Sequence, residues 1–157
     1  LITKQNQEFN KKLIEEKKVK INFIGDRTEL PTNIIKIFEN LEKSTKTNKK
    51  INLNIIFNYG YLNEISHIFK NINNFENKKL NKKNFFELII KYRYLSPMPD
   101  PDLLVRTGGY QRLSNFLMLN IGYTELFFSQ TLWPSFSIVE LKEIIDKYKK
   151  IQRNHGL

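Results

Sequence analysis

Between Pro97 and Phe136 the chain reads PMPDPDLLVRTGGYQRLSNFLMLNIGYTELFFSQTLWPSF. Arg106 ends an apolar run, Leu103-Leu104-Val105, that is short enough for a buried strand and follows Pro-rich punctuation. Thr107-Gly108-Gly109 comes next, where glycine frees the backbone for a tight turn. Arg112 and Ser114 then stand before an apolar segment, Phe116 to Ile121, that reads as a helix. A strand, a glycine turn bearing guanidiniums and a hydroxyl, and a helix start predict an anion pocket where backbone and side-chain donors converge. The bland alternative is that Arg106 pairs with Asp100 or Asp102. Glu125 lies in an otherwise apolar run, Ile121 to Phe128, and a carboxylate there needs a cation or a hydrogen-bonded partner to offset desolvation.

The elements that must position these residues alternate. Residues 1–18 read as the end of an amphipathic helix through Phe9 and Leu13. Val19 to Ile24 alternates like a strand and closes at Gly25-Asp26-Arg27. A helix starting near Pro31 turns Ile34, Ile35, Phe38 and Leu41 inward. Ile51 to Phe57 is a second strand, finishing at Asn58-Tyr59-Gly60, with a short helix from Leu62 to Phe69. Asn71 to Asn84 is polar, as in a surface loop or frayed helix end, and Phe85 to Tyr94 is helical. After the strand Asp102 to Arg106 come a helix from about Leu113 to Gly122 and a strand from Glu125 to Phe128. Ser137 caps a last helix carrying Val139, Leu141, Ile144, Ile145 and Tyr148. The expected class is α/β, a largely parallel central sheet with helices on both faces. Ligands bind such sheets beyond the carboxyl ends of the strands. Asn58-Tyr59-Gly60 and Arg106-Thr107-Gly108 are therefore expected on one face.

At 157 residues the chain is expected to be a single domain over 1–157. The net charge of +10 suits an anionic partner such as a diphosphate, a lipid surface or nucleic acid. A general Lys, Asn and Ile bias weakens charge as a signal, and the lysines are scattered, which argues against nucleic-acid binding. With no cysteine, disulfides and thiolate metal sites are excluded. No run approaches the roughly 20 apolar residues that span a bilayer. His67 and His155 are isolated, and Trp133-Pro134 is expected to be a loop aromatic packed on the core.

The stretch DLLVRTGGYQRLSNFLMLNIGYTELFFSQTLWP resembles the C-terminal signature of the cis-prenyltransferases, whose bacterial members make undecaprenyl diphosphate. It follows that pattern through Asp102, Arg106, Gly109, Arg112, Ser114, Asn115, Tyr123, Glu125 and Trp133-Pro134. VKINFIGDRTELP and INLNIIFNYGYLNEI are similar to earlier segments of the same family. The resemblance implies that isopentenyl diphosphate is condensed onto an allylic diphosphate, giving a polyprenyl diphosphate. Arg106, Arg112, the Leu113 backbone N–H and Ser114 would then bind the diphosphate of isopentenyl diphosphate, and Glu125 would be a Mg2+ ligand. It further implies a homodimer with peripheral membrane contact, cytoplasmic or in an organelle.

Departures qualify the likeness. The family's H-x-x-x-x-M-D-G-N-G-R-W-A segment, which carries the catalytic and magnesium-binding Asp, has no counterpart here. The chain is thus expected to be the C-terminal two-thirds of such an enzyme, inactive alone. Tyr110 stands where the family has Glu, Tyr61 and Leu62 where it has Gly-Arg, and Asn154 where its last Arg falls. The alternative expectation is a non-catalytic or degenerate subunit of a two-chain prenyltransferase.

Overall fold

The computed structural model describes residues 16, 18–73 and 81–152. The expected helix through Phe9 and Leu13, the middle of the Asn71 to Asn84 segment, and the tail with Arg153, Asn154 and His155 lie outside the described residues. The elements are β1 (Val19–Ile24), α1 (Thr32–Thr45), β2 (Ile51–Ile56), α2 (Tyr61–Asn73), α3 (Lys82–Tyr92), β3 (Leu103–Arg106), β4 (Glu125–Phe128), a 3-10 turn (Trp133–Ser135) and α4 (Ile138–Tyr148). The expected mixed α/β class with parallel strands is what the chain forms. Its described strands pair as two ladders, β1 with β2 and β3 with β4, both parallel. The chain divides into two compact units, Leu1–Tyr59 and Gly60–Leu157, each holding one ladder.

In the first unit Val19 faces Ile51 and the register runs to Ile24 opposite Ile56. The Ile51 N–H donates to the Lys18 carbonyl (2.9 Å) and the Phe57 N–H to that of Ile24 (3.0 Å). Alternate residues of a parallel strand serve opposite neighbours, so Val19, Ile21 and Phe23 turn their backbone groups outward. Side chains meet them. The Ile21 N–H donates to Thr45 Oγ1 (3.1 Å), the Phe23 N–H donates to Glu42 Oε1 (2.8 Å), and Asn48 Nδ2 donates to the Val19 carbonyl (2.8 Å). Arg27 Nη2 bridges the Phe23 carbonyl (2.8 Å) and Glu42 Oε1 (2.7 Å). Phe38 of α1 stacks on Phe23 with centroids 3.9 Å apart and reaches Phe57 at 5.1 Å. Because α1 rests on β1, the residues Ile51, Leu53 and Ile55 of β2 stay 40–58% exposed.

In the second unit Leu103 faces Glu125 and Arg106 faces Phe128. Ile68, Ile72, Leu95, Leu117 and Ile144 are buried. The fully buried Glu64 of α2 accepts the Tyr94 N–H at 2.7 Å, which offsets its desolvation. Asn81 and Asn84 form a reciprocal cap on α3, and the Ser137 hydroxyl accepts the Glu140 N–H (3.2 Å) at the start of α4 as expected.

The helix expected from about Leu113 to Gly122 does not form. That stretch is a series of turns, with positive φ at Ser114 (49°), Asn115 (66°) and Leu117 (48°). Right-handed helix excludes such angles, and Ser and Asn compete with the helix through local hydrogen bonding. Trp133 is also unlike the expectation: it is 75% exposed and stacks on Phe136 instead of the core. Among the described residues no helix is long and apolar enough to cross a membrane.

Candidate functional site

The site is built outward from β3. Before the strand, Arg93 donates to Asp100 (2.5 Å) and to the Met98 carbonyl (3.0 Å), while Asn120 Nδ2 donates to Asp100 (3.0 Å). Thr124 Oγ1 donates to the Pro101 carbonyl (2.6 Å) and the Glu125 N–H to that of Asp102 (3.0 Å). Beyond the strand, the Ser129 N–H donates to the Arg106 carbonyl at 2.8 Å. The turn is then strapped to the segment after β4. Gly108 N–H donates to the Thr131 carbonyl and Gly109 N–H to that of Ser129, each at 2.9 Å. Ser129 Oγ accepts the Thr131 N–H (3.0 Å) and donates to Glu140, which ties the strap to α4. Both glycines have positive φ, 95° and 81°. Their amides are therefore occupied inside the fold. They hold the turn.

What the turn presents is side chains. Arg106 Nη1 donates to Ser114 Oγ (3.0 Å) and to the Arg112 carbonyl. The Arg112 guanidinium lies over the Tyr110 ring at 4.1 Å, with that of Arg106 at 5.9 Å from the same centroid. Leu104, Val105, Arg106, Thr107, Leu113, Ser114 and Phe116 line a cavity of about 380 Å³. Asp100, one of the two rival partners for Arg106, is engaged by Arg93 and Asn120 instead. Among the described residues neither Arg106 nor Arg112 has an ion pair. A second, apolar cavity of about 360 Å³ shares Val105 and Thr107 with the first and continues along Trp133, Phe136, Ile138 and Leu141.

Three of the four candidate anion ligands, Arg106, Leu113 and Ser114, line the cavity, and Arg112 joins them through its carbonyl and the shared Tyr110 ring. Leu113 sits in a loop, so its N–H is a lone loop donor and not part of a helix N-terminus. The tyrosine between the arginines was visible in the sequence only as a departure from a pattern. The Ser129–Glu140 strap gave no signal, because its partners are distant and ordinary in type.

Glu125 is placed differently from the convergence expected. It opens β4 opposite Leu103, whereas Arg106 lies opposite Phe128, three residues on. At about 3.3 Å per residue this separates them by roughly 10 Å along the ladder, and strand alternation turns them to opposite faces. Among the described residues no three His, Cys, Asp or Glu side chains cluster so as to hold a metal ion. The described residues at the guanidiniums therefore do not fit a magnesium ion held by protein carboxylates.

Known proteins share this fold. Residues 1–156 match the family described as "Putative undecaprenyl diphosphate synthase". An isoprenyl transferase of Aquifex aeolicus is 37% identical over 138 residues, which is 88% of this chain and 58% of the relative. The chain spans about three-fifths of the length of the curated relatives it matches. A crystal structure of a "probable undecaprenyl diphosphate synthase" from Campylobacter jejuni superposes with a TM-score of 0.74 at 28% identity, covering 98% of this chain and 74% of its own. Lavandulyl diphosphate synthase from Lavandula x intermedia, solved with dimethylallyl diphosphate, has the same fold at a TM-score of 0.83 and 23% identity, covering 99% of this chain and 73% of its own.

Proposed function

Because the chain belongs to the undecaprenyl diphosphate synthase family of cis-prenyltransferases, we propose that it supplies the isopentenyl diphosphate half of a site for cis-prenyl chain elongation. The carrying observation is the Arg106 guanidinium, fixed by Ser114 Oγ and the Arg112 carbonyl beside a second guanidinium, with no carboxylate among the described residues to balance either. A planar guanidinium forks onto phosphate oxygens, and charge-assisted bonds of this kind are about twice as strong as neutral ones. Ser114 and the Leu113 N–H add neutral donors along the same cavity wall.

In the proposed reaction the terminal double bond of isopentenyl diphosphate attacks the first carbon of an allylic diphosphate. The allylic carbon–oxygen bond breaks, its electron pair leaves with the departing diphosphate, and loss of a proton restores a double bond in the lengthened chain. The described residues serve the acceptor. They hold the diphosphate that is retained and so aim the attacking double bond, an effect of orientation. Retention of both guanidiniums supports this reading over a subunit that has lost its binding function.

The test is calorimetric titration of the chain with isopentenyl diphosphate and with inorganic pyrophosphate at low salt. Saturable binding is expected, and Arg106→Ala should weaken it by about tenfold or more, since a hydrogen bond to a charged group contributes about 1.5–3 kcal/mol. Equal affinity in the variant would remove the proposal.

A further inference from the structure

Arg106 and Arg112 bring like charges into one short turn, where they repel. Among the described residues no carboxylate pairs with either. What both share is the ring of Tyr110, with the guanidinium carbons 4.1 Å (Arg112) and 5.9 Å (Arg106) from its centroid. The negative face of an aromatic ring attracts cations within about 6 Å. Tyr110 directly follows Gly109, whose amide is pinned to the Ser129 carbonyl, so the ring is carried by a fixed backbone.

We infer that Tyr110 is a positioning residue that holds Arg106 and Arg112 as a pair spaced for a two-phosphate ligand. The role rests on the diphosphate reading above and deepens it. A ring face draws on the guanidinium π-surface and leaves the N–H donors in its plane for the ligand. Tyr110 is 56% exposed, so the ring is not part of the core.

Pairing has a signature of its own. A diphosphate can engage both guanidiniums at once, whereas orthophosphate cannot span them to the same extent. Losing the ring should therefore weaken pyrophosphate more than orthophosphate. The experiment measures both dissociation constants by titration calorimetry for the unaltered chain, Tyr110→Leu, Tyr110→Phe and Arg106→Ala. For Tyr110→Leu we expect pyrophosphate to weaken about fivefold to tenfold and orthophosphate by about twofold or less, from the loss of both cation–π contacts. Tyr110→Phe, which keeps the ring, should stay within about twofold of the unaltered chain for both ligands. Partial unfolding scales both constants alike, so their ratio reads positioning alone. An unchanged ratio in Tyr110→Leu, alongside a clear loss in Arg106→Ala, overturns the role of the ring and leaves the diphosphate site standing. Phe behaving like Leu also overturns it, by assigning the contact to the hydroxyl. If Arg106→Ala binds pyrophosphate as well as the unaltered chain, the site reading falls and this inference falls with it.

Discussion

Each parallel ladder carries an arginine at the carboxyl end of its earlier strand, and the two arginines live very different lives. Arg27, just past β1, has Nη2 on both Glu42 Oε1 (2.7 Å) and the Phe23 carbonyl (2.8 Å). Arg106, the last residue of β3, finds a hydroxyl and a carbonyl but, among the described residues, no carboxylate. The first guanidinium has its charge balanced inside the fold and acts as a strut between strand and helix. The second is oriented by neutral acceptors that fix its geometry without cancelling its charge. Position in the ladder does not decide which role an arginine takes; the presence of a carboxylate does. The turns beneath them differ in the same sense. A Cβ on Gly25 would fall 1.8 Å from the Phe57 carbonyl oxygen, while one on Gly109 would meet the Gln130 side chain at 2.9 Å.

This contrast can be broken in five places. Gly25→Ala should have the largest effect, about 3 kcal/mol of stability, because both the 141° φ and a backbone carbonyl oppose it. Gly109→Ala, facing only a movable side chain, should cost clearly less; equal midpoints in urea would erase the distinction. Next, Arg106→Ala should lose about 1.5–3 kcal/mol of pyrophosphate affinity with stability changed by no more than about 0.5 kcal/mol. Arg27→Ala should do the reverse. It should lower stability by about 1–2 kcal/mol, less at high salt because the pair is roughly one-third exposed, and leave pyrophosphate titrations unmoved. Were Arg27→Ala to weaken pyrophosphate as much as Arg106→Ala does, the assignment of strut and ligand-holder would collapse. The smallest effect belongs to Ser114→Ala. Removal of the acceptor that orients Arg106 should weaken pyrophosphate by about 0.5–1.5 kcal/mol, seen as a modest rise in dissociation constant.

The parts legible in the sequence are those set by local period. Val19 to Ile24 and Ile51 to Ile56 alternate as strands do, and both form strands. Ser137 announces α4 through its cap. The proximity of Arg106 and Ser114 was also readable, because eight residues around a glycine turn cannot carry them far apart. The stretch from Leu113 to Gly122 misled for a physical reason. Its apolar residues serve the core and the cavity, as at Leu117 and Phe116, but the left-handed pair Ser114-Asn115 prevents helical winding. The Asn115 carbonyl instead accepts the Tyr61 N–H at the start of α2 (3.1 Å). The placement of Glu125 was illegible because spacing along a chain does not specify register across a ladder. Only the pairing of Leu103 with Glu125 shows that it stands at the other end from Arg106.

The outer border of β1 has a consequence for association. A strand border with vacant amides and carbonyls is a template on which foreign strands polymerise. Here the Val19 carbonyl, the Ile21 N–H and both groups of Phe23 are already matched by Asn48, Thr45, Glu42 and Arg27. An incoming strand on that flank finds few rungs to climb. Any strand that joins this ladder is steered to the β2 flank, so growth is one-directional and runaway stacking through β1 is blocked.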